Sequence, residues 1–185
     1  MSVEIARHSF TVEEFERMGE AGIFPPDARL ELIEGEIVEL SPIGSPHAAC
    51  VTYLTHILNE LEREFQVRVQ NPVWLSDFSE PQPDLALVHW RDDFYRGAHP
   101  SPADVLLVVE VADTTVITDR SIKLPLYARA GIREAWLVNI PDGRIEIFSD
   151  PSGDTYQRAE LFERGRQAQS HTIERLKVTV EELLG

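Results

Sequence analysis

Asp84, Glu110 and Lys123 are the side chains in this sequence whose types and surroundings point to chemistry. Asp84 follows Pro83 and opens the apolar run LALV. Glu110 interrupts LLVVEVA, a segment apolar on both alternating faces. Such a run predicts a central strand covered on both sides, where an isolated carboxylate costs several kcal/mol even after relaxation. The chain must therefore offer Glu110 a cation, or Glu110 must take up a proton. Two carboxylates on neighbouring strands, with no cysteine or paired histidine near them, make an oxygen-rich site. That donor set suits Mg²⁺ or Mn²⁺ rather than zinc. A hard cation there acidifies water and polarises a phosphoryl oxygen. Lys123 would then orient the attacking water or offset charge on a phosphorane-like transition state.

Each of these residues also has an ordinary meaning. An Asp after Pro commonly caps a turn, and a glutamate in a strand commonly makes a half-buried salt bridge. Asp119, Lys123 and Tyr127 recur at i, i+4 and i+8, which stacks them along one side of a helix. An exposed Asp119–Lys123 pair is worth only a few tenths of a kcal/mol. Only the three in order, Asp84, Glu110 and Lys123, carry the chemical reading. Lys123 is one of two lysines against 15 arginines, a weak pointer in the same direction.

The elements that must position these groups follow from the pattern. Thr11-Val-Glu-Glu14 reads as a capping box opening a short helix that stops near Gly22. LELIEGEIVEL reads as a hairpin turning at Glu34-Gly35, with Gly35 at positive φ. In that register Glu31 shares a face with Ile33 and lies opposite Val38. Ser45 reads as an N-cap with Pro46 at the first helical position, and Val51, Leu54, Leu58, Leu61 and Phe65 form a helical stripe. His47, in the first turn of that helix, reads as a local hydrogen-bonding residue in preference to a metal ligand, since no second histidine sits at ligand spacing. VRVQNPVWL, PQPDLALVHW and DVLLVVEVA read as strands, and TDRSIKLPLYARAGI as a helix closing at Gly131. Pro125 deep inside a helix would cost about 3 kcal/mol. The regular helix is therefore expected to begin near Ser121 or Ile122, leaving Asp119 in the loop before it. Tyr127 is expected to pack, or to orient Lys123. EAWLVNI, RIEIF and DTYQRAEL supply further strands, and Thr179 caps a last short helix.

The order is helix, hairpin, helix, three strands, helix, strands. It predicts one mixed α/β domain over 1–185. No apolar run is long enough to span a membrane, and the leading residues do not suit a secretory signal, so a cytoplasmic location is expected. The single cysteine, Cys50, excludes an internal disulfide and reads as a small buried side chain. The net charge of −15 argues against broad attraction to nucleic acid. Residues 1–112 carry 7 basic and 20 acidic side chains against 10 and 12 in 113–185. An anionic substrate is thus expected to approach the C-terminal part or to be bridged by metal ions.

LELIEGEIVELSP at 30–42, His47, PDLALV at 83–88, VVEVADTT at 108–115 and DRSIKLPLYARAGIREAWLVNIPDGRIEIF at 119–148 together resemble the Uma-two family of endonucleases. That family lies within the restriction-endonuclease-like PD-(D/E)XK superfamily. The resemblance implies a restriction-endonuclease-like fold, mixed α/β (α+β) with a central mixed sheet flanked by helices, a Mg²⁺- or Mn²⁺-dependent phosphodiesterase acting on nucleic acid, DNA first, and a homodimer. It implies Asp84 and Glu110 as metal-binding acids. The superfamily's lysine ordinarily lies two residues after the glutamate, where this chain has Ala112, and Lys123 matches the place to which this family has moved it. Glu31 is the candidate for a further acid and His47 a neighbour. Two alternatives stay open: a non-catalytic interaction protein on a nuclease scaffold, and a metal hydrolase of smaller phosphoesters.

Overall fold

The computed structural model describes residues 7–61 and 65–185. Helix α1 (Val12–Glu20) opens with the expected capping box: the Thr11 hydroxyl accepts from the Glu14 N–H, and the Glu14 carboxylate accepts from the Thr11 N–H. Strands β1 (Leu30–Ile33) and β2 (Glu36–Glu39) form the hairpin, with Glu31 opposite Val38. Glu34 and Gly35 both take positive φ, the twist a two-residue hairpin turn requires. A Cβ on Gly35 would lie 2.6 Å from the Ser9 Cβ, so the glycine is also needed for close approach.

Helix α2 (Ser45–Glu60) begins one residue earlier than expected, with Gly44 as its cap and Ser45 already helical. It also ends before Phe65. That residue is buried all the same and joins the core just before β3 (Gln66–Val69). Of the VRVQNPVWL run only this first part is strand, because Gln70 turns to positive φ and Pro72 lacks a donor. Next come β4 (Leu85–Val88) and β5 (Val105–Ala112). A helical crossover follows: α3 (Val116–Thr118), a π-helical turn (Asp119–Lys123) and α4 (Leu124–Arg129). Strands β6 (Glu134–Asn139), β7 (Arg144–Ser152) and β8 (Thr155–Glu163) complete a six-stranded sheet in the order β3-β4-β5-β6-β7-β8. The short ribbon β9 (Gln167–Gln169) and β10 (Lys177–Thr179) and the final helix α5 (Val180–Leu184) follow, and no Thr179 side-chain bond caps that helix.

This is the expected mixed sheet flanked by helices. Among the described strands of the large sheet, β5 and β6 are parallel and every other neighbouring pair is antiparallel. A parallel pair needs a crossover, and here the crossover is the segment that carries Lys123. Apolar side chains fill both faces of the sheet. Cys50, Leu54 and Leu58 of α2 pack with Leu85, Leu107, Val109 and Val111 on one side. Leu124, Leu126 and Tyr127 of α4 pack with Ala86, Val108, Ala112 and Leu137 on the other. The reading of Cys50 as a buried side chain therefore holds. The segment 1–6, on which the expectation about a secretory signal partly rests, lies outside the described residues. Among those described, no helix is long and apolar enough to cross a membrane.

Candidate active site

Strand register brings the two acids of the sequence pattern together. Leu85 pairs with Val109 and Ala86 with Val108, so Asp84, one step ahead of β4, comes opposite Glu110. Their even-numbered strand neighbours Ala86, Val108 and Ala112 pack toward α4, and the two carboxylates share that face. Asp84 is held from three sides. Its Oδ2 accepts the Val111 N–H at 2.8 Å, while its Oδ1 lies 3.1 Å from the Gln70 amide and 3.0 Å from His47 Nε2. Burial works against the charged form, but His47, the Val111 N–H and Gln70 outweigh it and keep the carboxyl below its ordinary range.

Lys123 reaches the same face from the crossover. Its Nζ lies 3.2 Å from Glu31 Oε2 and 3.3 Å from Glu110 Oε1, and all three side chains are almost fully buried. The Tyr127 hydroxyl donates to the same Glu110 oxygen. Glu31 accepts the Gln82 N–H at 3.1 Å, and the Gln82 amide binds back to the Leu30 carbonyl, fastening the hairpin to the PQPD segment. Asp119 accepts from the Thr115 hydroxyl at 2.6 Å. Glu31, His47, Asp84, Glu110, Asp119 and Lys123 all line one cleft of about 330 Å³.

The charges in this cleft do not balance. Glu31, Glu39, Asp84, Glu110, Asp113 and Asp119 line it against Arg29 and Lys123. Burial pushes the Glu110 carboxyl well above its ordinary value; Lys123 opposes that, and the charges of Asp119 and Asp84 add to it. Asp119 is also raised, by burial first. Burial alone would lower the Lys123 ammonium, but Glu110, Glu31 and Asp119 overcome it and hold the lysine protonated far beyond neutral pH. Tyr127 is raised as well, by burial and then by Glu110, so its hydroxyl is a donor and stays one.

The sequence profile described as "Uma2: Putative restriction endonuclease" matches residues 12–181, nearly the whole chain. The chain belongs to the Uma2 family. The crystal structure of a "putative nuclease belonging to DUF820 from Anabaena variabilis ATCC 29413" shares the fold, with a TM-score of 0.71 at 16% identity over 95% of this chain and 97% of that one. No curated protein matches.

In this Uma2 chain the structure corrects two expectations about the site. His47 is not a local hydrogen-bonding residue: its partner is Asp84, across the fold, and its Nδ1 is buried with no partner among the described residues. Asp119 does not lie in a loop. The backbone is helical from Val116 and accommodates Pro125 by widening into a π turn, in which the Leu124 N–H bonds to the Asp119 carbonyl. The five-residue step puts Asp119 in the cleft against Thr115, with no ion pair to Lys123 inside 4 Å. Such π turns recur at functional sites because they re-aim side chains. Tyr127 is packed as expected, but its hydroxyl serves Glu110 and not Lys123. Gln70, Gln82 and Thr115 escaped sequence reasoning, since each acts through a partner that only the fold supplies. Gln82 left one signal, its place between two prolines directly before Asp84.

Proposed function

We propose that the chain is a divalent-metal-dependent endonuclease that hydrolyses phosphodiester bonds, with DNA as its substrate. The observation that carries this reading is the convergence of Glu31, Asp84, Glu110 and Asp119 on one cleft with a single buried lysine. Carboxylate oxygens in excess over cationic groups are the donor set a hard ion requires, so the residues present fit Mg²⁺ or Mn²⁺, with Asp84 and Glu110 as its holders. When bound, such an ion supplies Lewis acidity to a phosphoryl oxygen and lowers the pKa of water. Asp84 stays ionised through its three hydrogen-bond partners and is ready to accept a cation. Glu110, destabilised as an anion by burial, gains most from positive charge nearby. Lys123 remains an ammonium, so it acts as a donor and a fixed charge toward the phosphorane-like transition state, and not as a general base. Tyr127 holds the Glu110 carboxylate from behind, and His47 and Gln70 orient Asp84. Two copies of the chain, each cutting one strand, would suit a duplex substrate.

Incubation of the purified protein with supercoiled plasmid and with DNA and RNA oligonucleotides in Mn²⁺ tests the reading. Metal-dependent nicking is expected, lost in Lys123→Ala and Glu110→Gln. Cleavage that survives both substitutions overturns it. Cleavage of nucleotide esters without cleavage of polynucleotide would replace nucleic acid by a smaller substrate.

A further inference from the structure

A second group of metal-binding side chains lies outside the cleft. Glu16 of α1, Glu80 in the segment leading to Asp84, and His99 in the loop before β5 each present a ligand atom, and these atoms lie within 4.8 Å of one another. The three line a separate cavity of about 520 Å³, together with Glu13, Trp74 and Asp77. No lysine or arginine is among its lining residues.

Glu80 sets this group apart from an ordinary acidic surface. It is 4% exposed, and its backbone is locked by paired bonds to Leu32. Its carboxylate has no hydrogen bond or ion pair among the described residues. Glu134 and Glu146, comparably buried, are each surrounded by donors. The carboxylate opens onto the cavity, and no protein donor offsets what burial takes from its hydration. The charge that bears on it is that of Glu16, of the same sign. Burial, with Glu16 adding to it, pushes its carboxyl up to about 7. Burial and the charge of Arg68 depress His99, favouring the neutral ring that can ligate a metal.

We propose that Glu16, Glu80 and His99 form a second cation site that takes a divalent transition-metal ion, Zn²⁺ best, and fastens α1 to the segments before β4 and β5. Two carboxylates with one imidazole are a mixed donor set, in which the imidazole favours zinc over magnesium. Ligand atoms around one such ion stand about 3–3.5 Å apart. Glu16, exposed on its helix, has the freedom to close that remaining gap. One contact opposes loading. Arg68 Nη2 lies 3.4 Å from His99 Nδ1. It must withdraw whichever ring nitrogen serves: at Nδ1 the metal replaces it, and at Nε2 the ring proton has to move to Nδ1.

Equilibrium dialysis of the full chain against Zn²⁺ tests the site, in an Asp84→Asn/Glu110→Gln background that removes the cleft as a competitor. One ion per chain is expected. Adding Glu80→Gln or His99→Ala should weaken binding at least tenfold, and Arg68→Met should tighten it. Glu16→Gln, at an exposed helix position, keeps the test open if the Glu80 variant does not fold. Zinc uptake unchanged by Glu80→Gln, Glu16→Gln and His99→Ala overturns the proposal, and so does no uptake in the background protein. Because the readout is binding with the cleft disabled, either result leaves the nuclease reading standing or falling on its own test.

Discussion

Strands β5 and β6 lie side by side and parallel, and each buries a glutamate, yet the two are treated in opposite ways. Glu134, at the start of β6, is fully buried. One of its oxygens accepts from the Trp136 indole, and the other from the Ser170 hydroxyl and the His171 and Thr172 N–H groups. Fixed neutral donors neutralise its need for water and pin the segment after β9 to the sheet. Glu110, near the end of β5, has one cation and one hydroxyl on a single oxygen, with Asp84 and Asp119 repelling it. A carboxylate satisfied by dipoles is structural, whereas one short of positive charge is poised to bind it. The difference puts the unbalanced charge at the end of the sheet where β5 passes into the crossover, the place of the proposed site.

Substitutions at the two glutamates should separate these roles, most strongly in activity. Glu110→Gln and Lys123→Ala are expected to lower Mn²⁺-dependent cleavage by roughly 100-fold to 1,000-fold, the scale of a lost transition-state electrostatic contact. Glu134→Gln should retain turnover at temperatures where it stays folded. Equal losses at both glutamates would erase the distinction.

Stability should respond with the opposite sign. Glu134→Ala strands several buried donors at about 1–3 kcal/mol each, so urea unfolding should show a loss of roughly 3–5 kcal/mol. Glu110→Gln removes a buried excess charge and should leave the metal-free protein as stable as before or more so.

The crowded carboxylates of the cleft should also show in the pH dependence of stability. Glu110 and Asp119 have folded values raised above the ordinary 4.5 and 3.8, so the folded protein holds protons that the unfolded chain has already released. Stability of the metal-free protein should therefore fall as pH rises from that range toward neutrality. Asp84, lowered from 3.8, works in the other direction, and its contribution is lost as pH falls below that value. Melting temperatures between about pH 5 and pH 7.5 should decline, with Glu80, pushed up to about 7, contributing as well, and Glu110→Gln should lessen the decline.

The smallest effect is expected at Tyr127. Tyr127→Phe deletes one donor from an oxygen that Lys123 still serves, so a loss of about 1 kcal/mol is expected in urea unfolding. A loss as large as that of Glu134→Ala would mean the hydroxyl, and not the lysine, holds Glu110.

Much of this arrangement was legible in the sequence. Period-two and helical apolar patterns gave the element order, since alternation and stripes are local properties of the chain. The Thr11 box, the Glu34-Gly35 turn and the register setting Glu31 opposite Val38 follow from neighbouring residues alone. Glu110 stood out because a carboxylate in an apolar strand conflicts with its own surroundings. What depends on residues far apart was not legible. His47 meets Asp84 because α2 begins where β4 begins. Glu31 meets Lys123 because Gln82 fastens the hairpin to the strand segment. Asp119 enters the cleft because Pro125 forces a π turn where a loop was expected. Glu80 carried no signal, since its lack of a donor among the described residues is a result of packing. Composition and periodicity fix which segments become strands and helices, because those preferences act within a few residues. Which charges share one buried cleft, and which are left without a partner, is decided only when the sheet closes and solvent is excluded.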